Sequence, residues 1–247
     1  MLFTTLPARI AARLGAGLAA RPLPSLCAVC RAWGTQRVCG DCLGRWATPQ
    51  PRCQRCAIEV QSGITLCGAC LLHPPPFVCA VAALPYAFPW DGLIARFKFG
   101  AALDLAPFFV RQLQATVERA GVNLPALLLP VPLSEKRLRE RGFNQAWEMT
   151  RRLGATWRCQ ADPHLLLRVR ETPHQTALPP SERIANVASA FAVEPLRVRE
   201  LRGREVAVID DVLTTGATVA EMSRTLLEAG ASQVQVWVLA RTPLPDR

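Results

Sequence analysis

A β-branched run that breaks into a hydroxyl-rich turn constrains this chain more than any other feature: Gly203-Arg-Glu-Val-Ala-Val-Ile-Asp-Asp-Val-Leu-Thr-Thr-Gly-Ala-Thr-Val-Ala-Glu221. Residues 206–209 read as a short strand of the kind buried in a parallel sheet. From 219 to 229 the period turns helical, with Met222, Leu226 and Ala229 on one face. Gly230 then ends the helix, and 234–239 form a second buried strand. The pattern predicts a βαβ unit whose loop lies at the carboxyl end of a strand, where open α/β sheets bind ligands.

The loop chemistry favours a phosphate monoester. Thr214, Thr215 and Thr218 offer hydroxyls, and Gly216 lets backbone amides approach an anion at a helix N-terminus. Asp210 and Asp211, just upstream, accept hydrogen bonds when ionised, which suits the vicinal hydroxyls of a ribose whose 5′-phosphate sits in the loop. A receiver-like acidic pocket or a simple helix cap are the competing readings, and neither accounts for the threonines. The Gly-Lys pair of an ATP-type P-loop is absent. Residues 209–218 resemble the phosphoribosyl pyrophosphate (PRPP) motif of type I phosphoribosyltransferases. The resemblance implies that Asp210 and Asp211 hold the ribose hydroxyls, as catalytic carboxylates, while Thr214, Thr215, Gly216, Ala217 and Thr218 wrap the 5′-phosphate.

Eight of the ten cysteines fall in four identical steps: Cys27-Ala-Val-Cys30, Cys39-Gly-Asp-Cys42, Cys53-Gln-Arg-Cys56 and Cys67-Gly-Ala-Cys70. A Cys-x-x-Cys step turns two thiolates onto one ion, and two such knuckles complete a tetrahedral site. Eight sulfurs therefore predict two structural zinc ions, with Gly40 and Gly68 fitting the tight turns. Disulfides need an oxidising compartment, for which no secretion signal speaks. An iron–sulfur cluster is the other competitor, and paired knuckles favour zinc over it. The knuckles pair either in chain order or interleaved as a cross-brace, the former suiting compact ribbons. His73 is an alternative ligand; Cys79 and Cys159 read as small hydrophobes.

Between these features, residues 127–130 read as a buried strand ended by Pro130 and Pro132, followed by a helix carrying Lys136, Arg137, Arg139 and Arg141 near its start. Cations disfavour the positive end of a helix dipole, so this cluster answers either an anion, such as a pyrophosphate, or the neighbouring Glu135 and Glu140 on a solvated face. A proline-rich segment from 168 to 180, then a short helix capped by Ser181, reads as a lid, with His174 as a loop residue rather than a general base.

Pro130-Val-Pro-Leu133 with Arg141-Gly-Phe-Asn-Gln145, Thr172-x-x-Gln175-x-x-Leu178 with Glu182-Arg-x-x-Asn186-Val187, Tyr86, Phe97-Lys98-Phe99, the PRPP loop and the four knuckles together resemble the ComF/GntX family. The likeness covers 27–241. It implies an α/β fold: a type I phosphoribosyltransferase-like parallel sheet flanked by helices, with a small N-terminal double zinc ribbon. The expected division is 1–24 for an N-terminal amphipathic segment, 25–76 for the ribbons and 77–247 for the phosphoribosyltransferase-like domain. It also implies a ligand, PRPP or a related ribose 5-phosphate with Mg²⁺, its pyrophosphate near Lys98, Arg137 and Arg141. An acceptor for the phosphoribosyl group is not legible, because the ribbons and 77–119 stand where relatives carry a hood.

Charge bears on the partners. Twenty-nine basic against nineteen acidic residues give +10, although 27 of the basic residues are Arg and only 2 are Lys. Such a chain attracts phosphates and polyanions. Residues 1–80 hold eight arginines against Asp41 and Glu59, with Trp33 and Trp46 among them, an arrangement suited to single-stranded nucleic acid. The alternative is that metal merely staples a module too small to fold alone. The resemblance to the ComF/GntX family also implies a role in natural competence, so the competing function is a non-catalytic competence factor binding single-stranded DNA and proteins of the DNA-uptake machinery. No membrane span is expected, since the uncharged stretch 60–90 carries five prolines. The arginine-studded N-terminus reads as an amphipathic helix rather than a secretion signal, which predicts a soluble, cytoplasmic protein.

Overall fold

The computed structural model describes residues 24–170 and 189–243. The expected N-terminal amphipathic segment, save Pro24, and the expected lid beyond Arg170, with His174 and the start of the Ser181-capped helix, lie outside the described residues.

Five parallel strands form the main sheet: β3 (Cys79–Pro85), β4 (Leu127–Pro130), β5 (Gln160–Ala161), β8 (Glu205–Leu213) and β9 (Gln233–Arg241), in the order β3-β9-β8-β4-β5. Their side chains alternate between two apolar layers, as the two-residue period of a strand requires. Val206 and Val208 of β8 join Leu127, Leu129, Val234 and Val236 on one face; helix α7 (Ala217–Glu228) covers them with Val219, Met222 and Leu226. Ala207 and Ile209 join Leu128, Trp237 and Leu239 on the other face, under α3 (Trp90–Phe99), α4 (Ala106–Ala120) and α6 (Gln145–Trp157). Burial on both faces explains why these strands read as continuous apolar runs rather than alternating ones.

Sequence reading held for the β8–α7–β9 unit, with one shift: β8 runs on through Leu213, so Asp210 and Asp211 sit inside the strand. The basic segment forms two helices rather than one. In α5 (Glu135–Arg141) the Ser134 hydroxyl accepts from the Arg137 N–H, and Gly142 ends the helix in the left-handed region at φ 78. Asn144 then caps α6, its Oδ1 accepting from Ala146 and Trp147. Its Nδ2 donates to the Val131 carbonyl at 3.0 Å, fastening the start of α6 to the end of β4. The segment placed by chain order in a hood instead enters the core: β3 pairs in parallel with β9 along the edge of the sheet. Its residues are apolar enough to be buried there from Ala80 to Ala82.

The cysteine-rich segment contributes β1 (Ser25–Leu26), β2 (Trp33–Gly34), α1 (Gly40–Trp46) and α2 (Gly68–Leu72). It packs directly on the sheet layers: the Trp90 indole N–H donates to the Trp46 carbonyl at 2.8 Å, and Ala80 N–H to the Gln54 carbonyl at 3.1 Å. A short antiparallel pair, β6 (Leu166–Arg168) with β7 (Phe191–Val193), completes the described strands. Among the described residues no helix is long and apolar enough to cross a membrane.

Candidate functional site: a cavity at the strand ends and two cysteine clusters

Chain order reverses between β4 and β8: from β4 the chain steps outward to β5, then returns to β8 on the opposite side. Such a switch point opens a crevice beyond the carboxyl ends of the two strands. A cavity of about 260 Å³ lies there, walled by 131–133 after β4 and by 210–214, Gly216, Thr218 and Val219 within and after β8.

The structure brings nearly all of the predicted ligand-binding residues to this cavity. Asp210, Asp211, Thr214, Gly216 and Thr218 line it, as do Lys98 from α3 and Arg137 and Arg141 from α5. Thr215 is exposed, its hydroxyl accepting from the Ala217 N–H at 3.4 Å, and Ala217 is buried as the first residue of α7. Gly216 adopts φ +85, a conformation that strains any side chain, and as the N-cap residue brings no side chain of its own to the start of the helix. Of the four cations in the basic cluster, Arg137 and Arg141 face the cavity, while Lys136 and Arg139 are exposed and Arg139 pairs with Glu135. The cluster therefore divides into a cavity-lining pair and a solvent-facing pair.

The electrostatics centre on the two carboxylates. Lys98 Nζ stands 2.8 Å from Asp211 Oδ2. Gln145 Nε2 donates to the same oxygen at 3.3 Å, and the Val212 N–H donates to Oδ1 at 2.9 Å. Burial alone would raise the Asp211 carboxyl, but the Lys98 charge and hydrogen bonds hold it below the ordinary range. Burial would likewise lower Lys98; Asp211 and Asp210 outweigh it and hold the ammonium above its usual value. Asp210 behaves oppositely: burial, then the neighbouring Asp211 charge, raise it well above an ordinary carboxyl. Arg141 stacks its guanidinium over Phe99 at 5.0 Å and donates to Gln145 Oε1, so a chain of polar contacts runs from Arg141 through Gln145 to Asp211. Gln145 has no role legible in the sequence; its near-complete burial, 3% exposed, at the start of an amphipathic helix emerges only from the structure.

The cysteines gather in chain order, which resolves the pairing. The sulfurs of Cys27, Cys30, Cys39 and Cys42 lie within 4.8 Å of one another, and so do those of Cys53, Cys56, Cys67 and Cys70. Separations of 3.9 Å for Cys27–Cys42, 3.7 Å for Cys30–Cys39 and 3.7 Å for Cys56–Cys67 exceed a disulfide bond. They match the roughly 3.8 Å edge of a tetrahedron with metal–sulfur bonds of about 2.3 Å. Both clusters could therefore hold a metal ion. Each repeats one local design. The Cys39 N–H donates to Cys27 Sγ at 3.4 Å and the Cys67 N–H to Cys53 Sγ at 3.3 Å. Burial would raise these two thiols, but backbone N–H groups bring Cys27 to about 6 and Cys53 to about 7. The tight turns fall elsewhere than expected: Arg31 and Ala57, after the first knuckle of each cluster, take the left-handed conformation at φ 67 and φ 56. Gly40 and Gly68 are simply the first residues of α1 and α2. His73 caps the end of α2 and belongs to neither cluster.

A hydroxyl-rich turn after a central parallel strand, at the switch point and beneath a paired carboxylate, defines the class: an α/β protein of the type I phosphoribosyltransferase-like fold. The chain belongs to the ComF family. It is 36% identical over 227 residues to DNA utilization protein YhgH of Escherichia coli (strain K12), covering 89% of this chain and 98% of that protein. It is 34% identical over 195 residues to competence protein F of Haemophilus influenzae, covering 77% and 85%. Competence protein ComFC of Bacillus subtilis is 29% identical over 150 residues, 60% of this chain and 58% of that one. Among solved structures, glutamine phosphoribosylpyrophosphate amidotransferase from B. subtilis, complexed with ADP and GMP, aligns at TM-score 0.36 and 17% identity, covering 58% of this chain and 30% of that one. No family model matches.

Proposed function

We propose that the cavity binds PRPP together with Mg²⁺, and that the chain is a phosphoribosyltransferase-like protein working in the handling of DNA. The observation that carries this reading is the gathering, around one cavity, of Thr214, Gly216 and Thr218 of the turn with Lys98, Arg137 and Arg141 and with Asp210 and Asp211. The turn and the first amides of α7 take the 5′-phosphate, and the two carboxylates take the ribose hydroxyls. Arg137 and Arg141 take the pyrophosphate. Mg²⁺ bound with the ligand would supply charge neutralisation for the phosphates. When the bond from the anomeric carbon to pyrophosphate breaks, that bond's electrons leave with the pyrophosphate, and positive charge develops on the ribose. Carboxylates already fixed beside it stabilise that charge, and an acceptor's lone pair then forms the new bond. Both four-cysteine clusters hold zinc, the ion whose tetrahedral thiolate geometry they match.

Calorimetric titration with PRPP and Mg²⁺ tests the reading, with ribose 5-phosphate and pyrophosphate as separate probes. We expect saturable binding of PRPP, tighter than either half alone. Equal affinity for all three, or none, would overturn it.

The names of two relatives, DNA utilization protein and competence protein, favour a second activity on the same chain. Trp33, 77% exposed on the first ribbon, is flanked by exposed Arg31. Arg45 stacks on Trp46, which meets the exposed ring of Phe88 edge-on at 5.2 Å. Aromatic faces among arginines suit the bases and backbone of a single strand.

A further inference from the structure

Arg241, the last residue of β9, sits where two chemistries meet. Its Nε donates to the carbonyl of Cys56, a member of the second cysteine cluster, at 3.0 Å. Its Nη1 donates to the carbonyl of Leu213, the last residue of β8, at 3.0 Å and to that of Thr214, the first residue of the phosphate turn. The Thr242 N–H adds a bond to the Leu213 carbonyl at 3.1 Å. One rigid, permanently charged fork thus spans a metal-binding knuckle and the phosphate loop. The knuckle is itself braced: Arg55 donates to the Phe77 carbonyl at 2.9 Å, and Arg52 to the Ala57 carbonyl at 3.0 Å.

The consequence for the loop follows from peptide geometry. In a trans peptide the C=O and the following N–H point in opposite directions. With the carbonyls of Leu213 and Thr214 held by Arg241, the N–H groups of Thr214 and Thr215 are aimed away from it. Loop amides that are pre-aimed need no reordering when an anion arrives.

We infer that Arg241 is a positioning residue for the phosphate loop, and that the metal in the second cluster, by fixing the Cys56 knuckle, sets the loop's shape through it. The ligand arm of the test rests on the PRPP reading above; the exchange arm does not.

The experiment compares the zinc-loaded wild type with Arg241→Met, Cys67→Ser and the double variant. Hydrogen exchange is followed over 213–218, with strand residues 206–209 as internal reference, and metal content is measured by elemental analysis. We expect each single variant to speed loop exchange about tenfold relative to the reference strand, the loss of a charge-assisted hydrogen bond. The double variant should be no faster than either, because both changes cut one link. Arg241→Met should retain both metals. PRPP affinity should follow the same pattern, about tenfold weaker in all three. Loop exchange unchanged in Arg241→Met, or effects that add in the double variant, would overturn the inference. Should Cys67→Ser fail to fold, the fully metal-loaded Arg241→Met protein still decides it. A wild type that binds no PRPP defeats the proposed ligand, and exchange alone then judges the strut.

Discussion

Lys98 and Asp211 form a salt bridge of 2.8 Å at the floor of the cavity, with the carboxylate side chain 3% exposed and the lysine 28%. The pair splits the tandem acids into two kinds. Asp211 is held ionised by its partner, whereas Asp210, beside an existing negative charge and largely out of water, holds its proton more tightly than a free carboxyl.

Lys98→Met leaves Asp211 buried without its cation. We expect a stability loss of about 1–3 kcal/mol at neutral pH, less than for a fully buried pair because the lysine is partly solvated. Asp211 has a depressed folded pKa, so its contribution is present above the ordinary carboxyl value and lost as pH falls through the depressed one. The deficit of the variant should therefore narrow in acid. Urea unfolding across the pH range checks this; an unchanged midpoint at neutral pH would contradict it.

Asp210→Asn should move stability in the opposite direction. An acid whose folded pKa is raised opposes folding once pH exceeds the unfolded value, because the unfolded chain releases the proton more readily. The variant should match wild type near pH 4 and melt about 2–4 °C higher at neutral pH, for relief on the order of 1 kcal/mol. The same proton opposes a ligand whose hydroxyls need an ionised acceptor. Wild-type affinity for PRPP should rise as pH climbs through the Asp210 transition, and in Asp210→Asn that rise should be absent. A pH-independent wild-type affinity would contradict the assignment.

How much of this was legible beforehand depends on the range of the interactions. The strand, turn and helix of 205–228 lie in one local stretch, and β-branched runs, threonines and a glycine announce it. The knuckles are equally local, and their pairing in chain order follows from short gaps. Lys98, by contrast, meets Asp211 only because α3 packs over the sheet, and the 112 intervening residues carry no local trace of that. Arg241 left one signal: a lone cation ending the apolar run 236–240, next to carbonyls that only the folded sheet supplies. The extra strand β3 went unread because its chain position pointed to a hood, while its pairing with β9 joins residues more than 150 apart.

Metal content gives a stoichiometric prediction. The wild type should carry two zinc ions, one per cluster. Cys27→Ser and Cys70→Ser should each lose about one, from different clusters. Elemental analysis that finds either variant at full content would contradict the four-sulfur assignment.

Two glycines in helices should respond differently. A Cβ on Gly154 of α6 would stand 2.9 Å from Ala161 Cβ and 3.0 Å from the Cys159 carbonyl, so the helix would have to back away from β5. Gly154→Ala should destabilise by about 1–3 kcal/mol. Gly44 of α1 meets nothing within 4 Å, and Gly44→Ala should be neutral or stabilising by up to about 1 kcal/mol. Thermal melts of the two variants, side by side, check the contrast.

If the first ribbon holds single-stranded DNA, Trp33→Ala should weaken binding by about 1–3 kcal/mol, and wild-type affinity should fall steeply with salt. Fluorescence anisotropy with a labelled oligonucleotide reads both. A salt-independent affinity, or a Trp33→Ala protein binding as tightly as wild type, would contradict the assignment.

The claim that organises all of this is that the turn after β8 is a phosphate socket. Its most direct test is calorimetric titration with PRPP and Mg²⁺ of wild type against Thr215→Ala/Gly216→Val, with the fold of the double variant checked by circular dichroism. Val at position 216 must adopt φ +85, and the loss of the Thr215 hydroxyl removes the contact that shapes the turn. The account predicts a folded variant with no measurable PRPP binding beside a wild type that binds saturably. A folded variant that binds PRPP as the wild type does would contradict it.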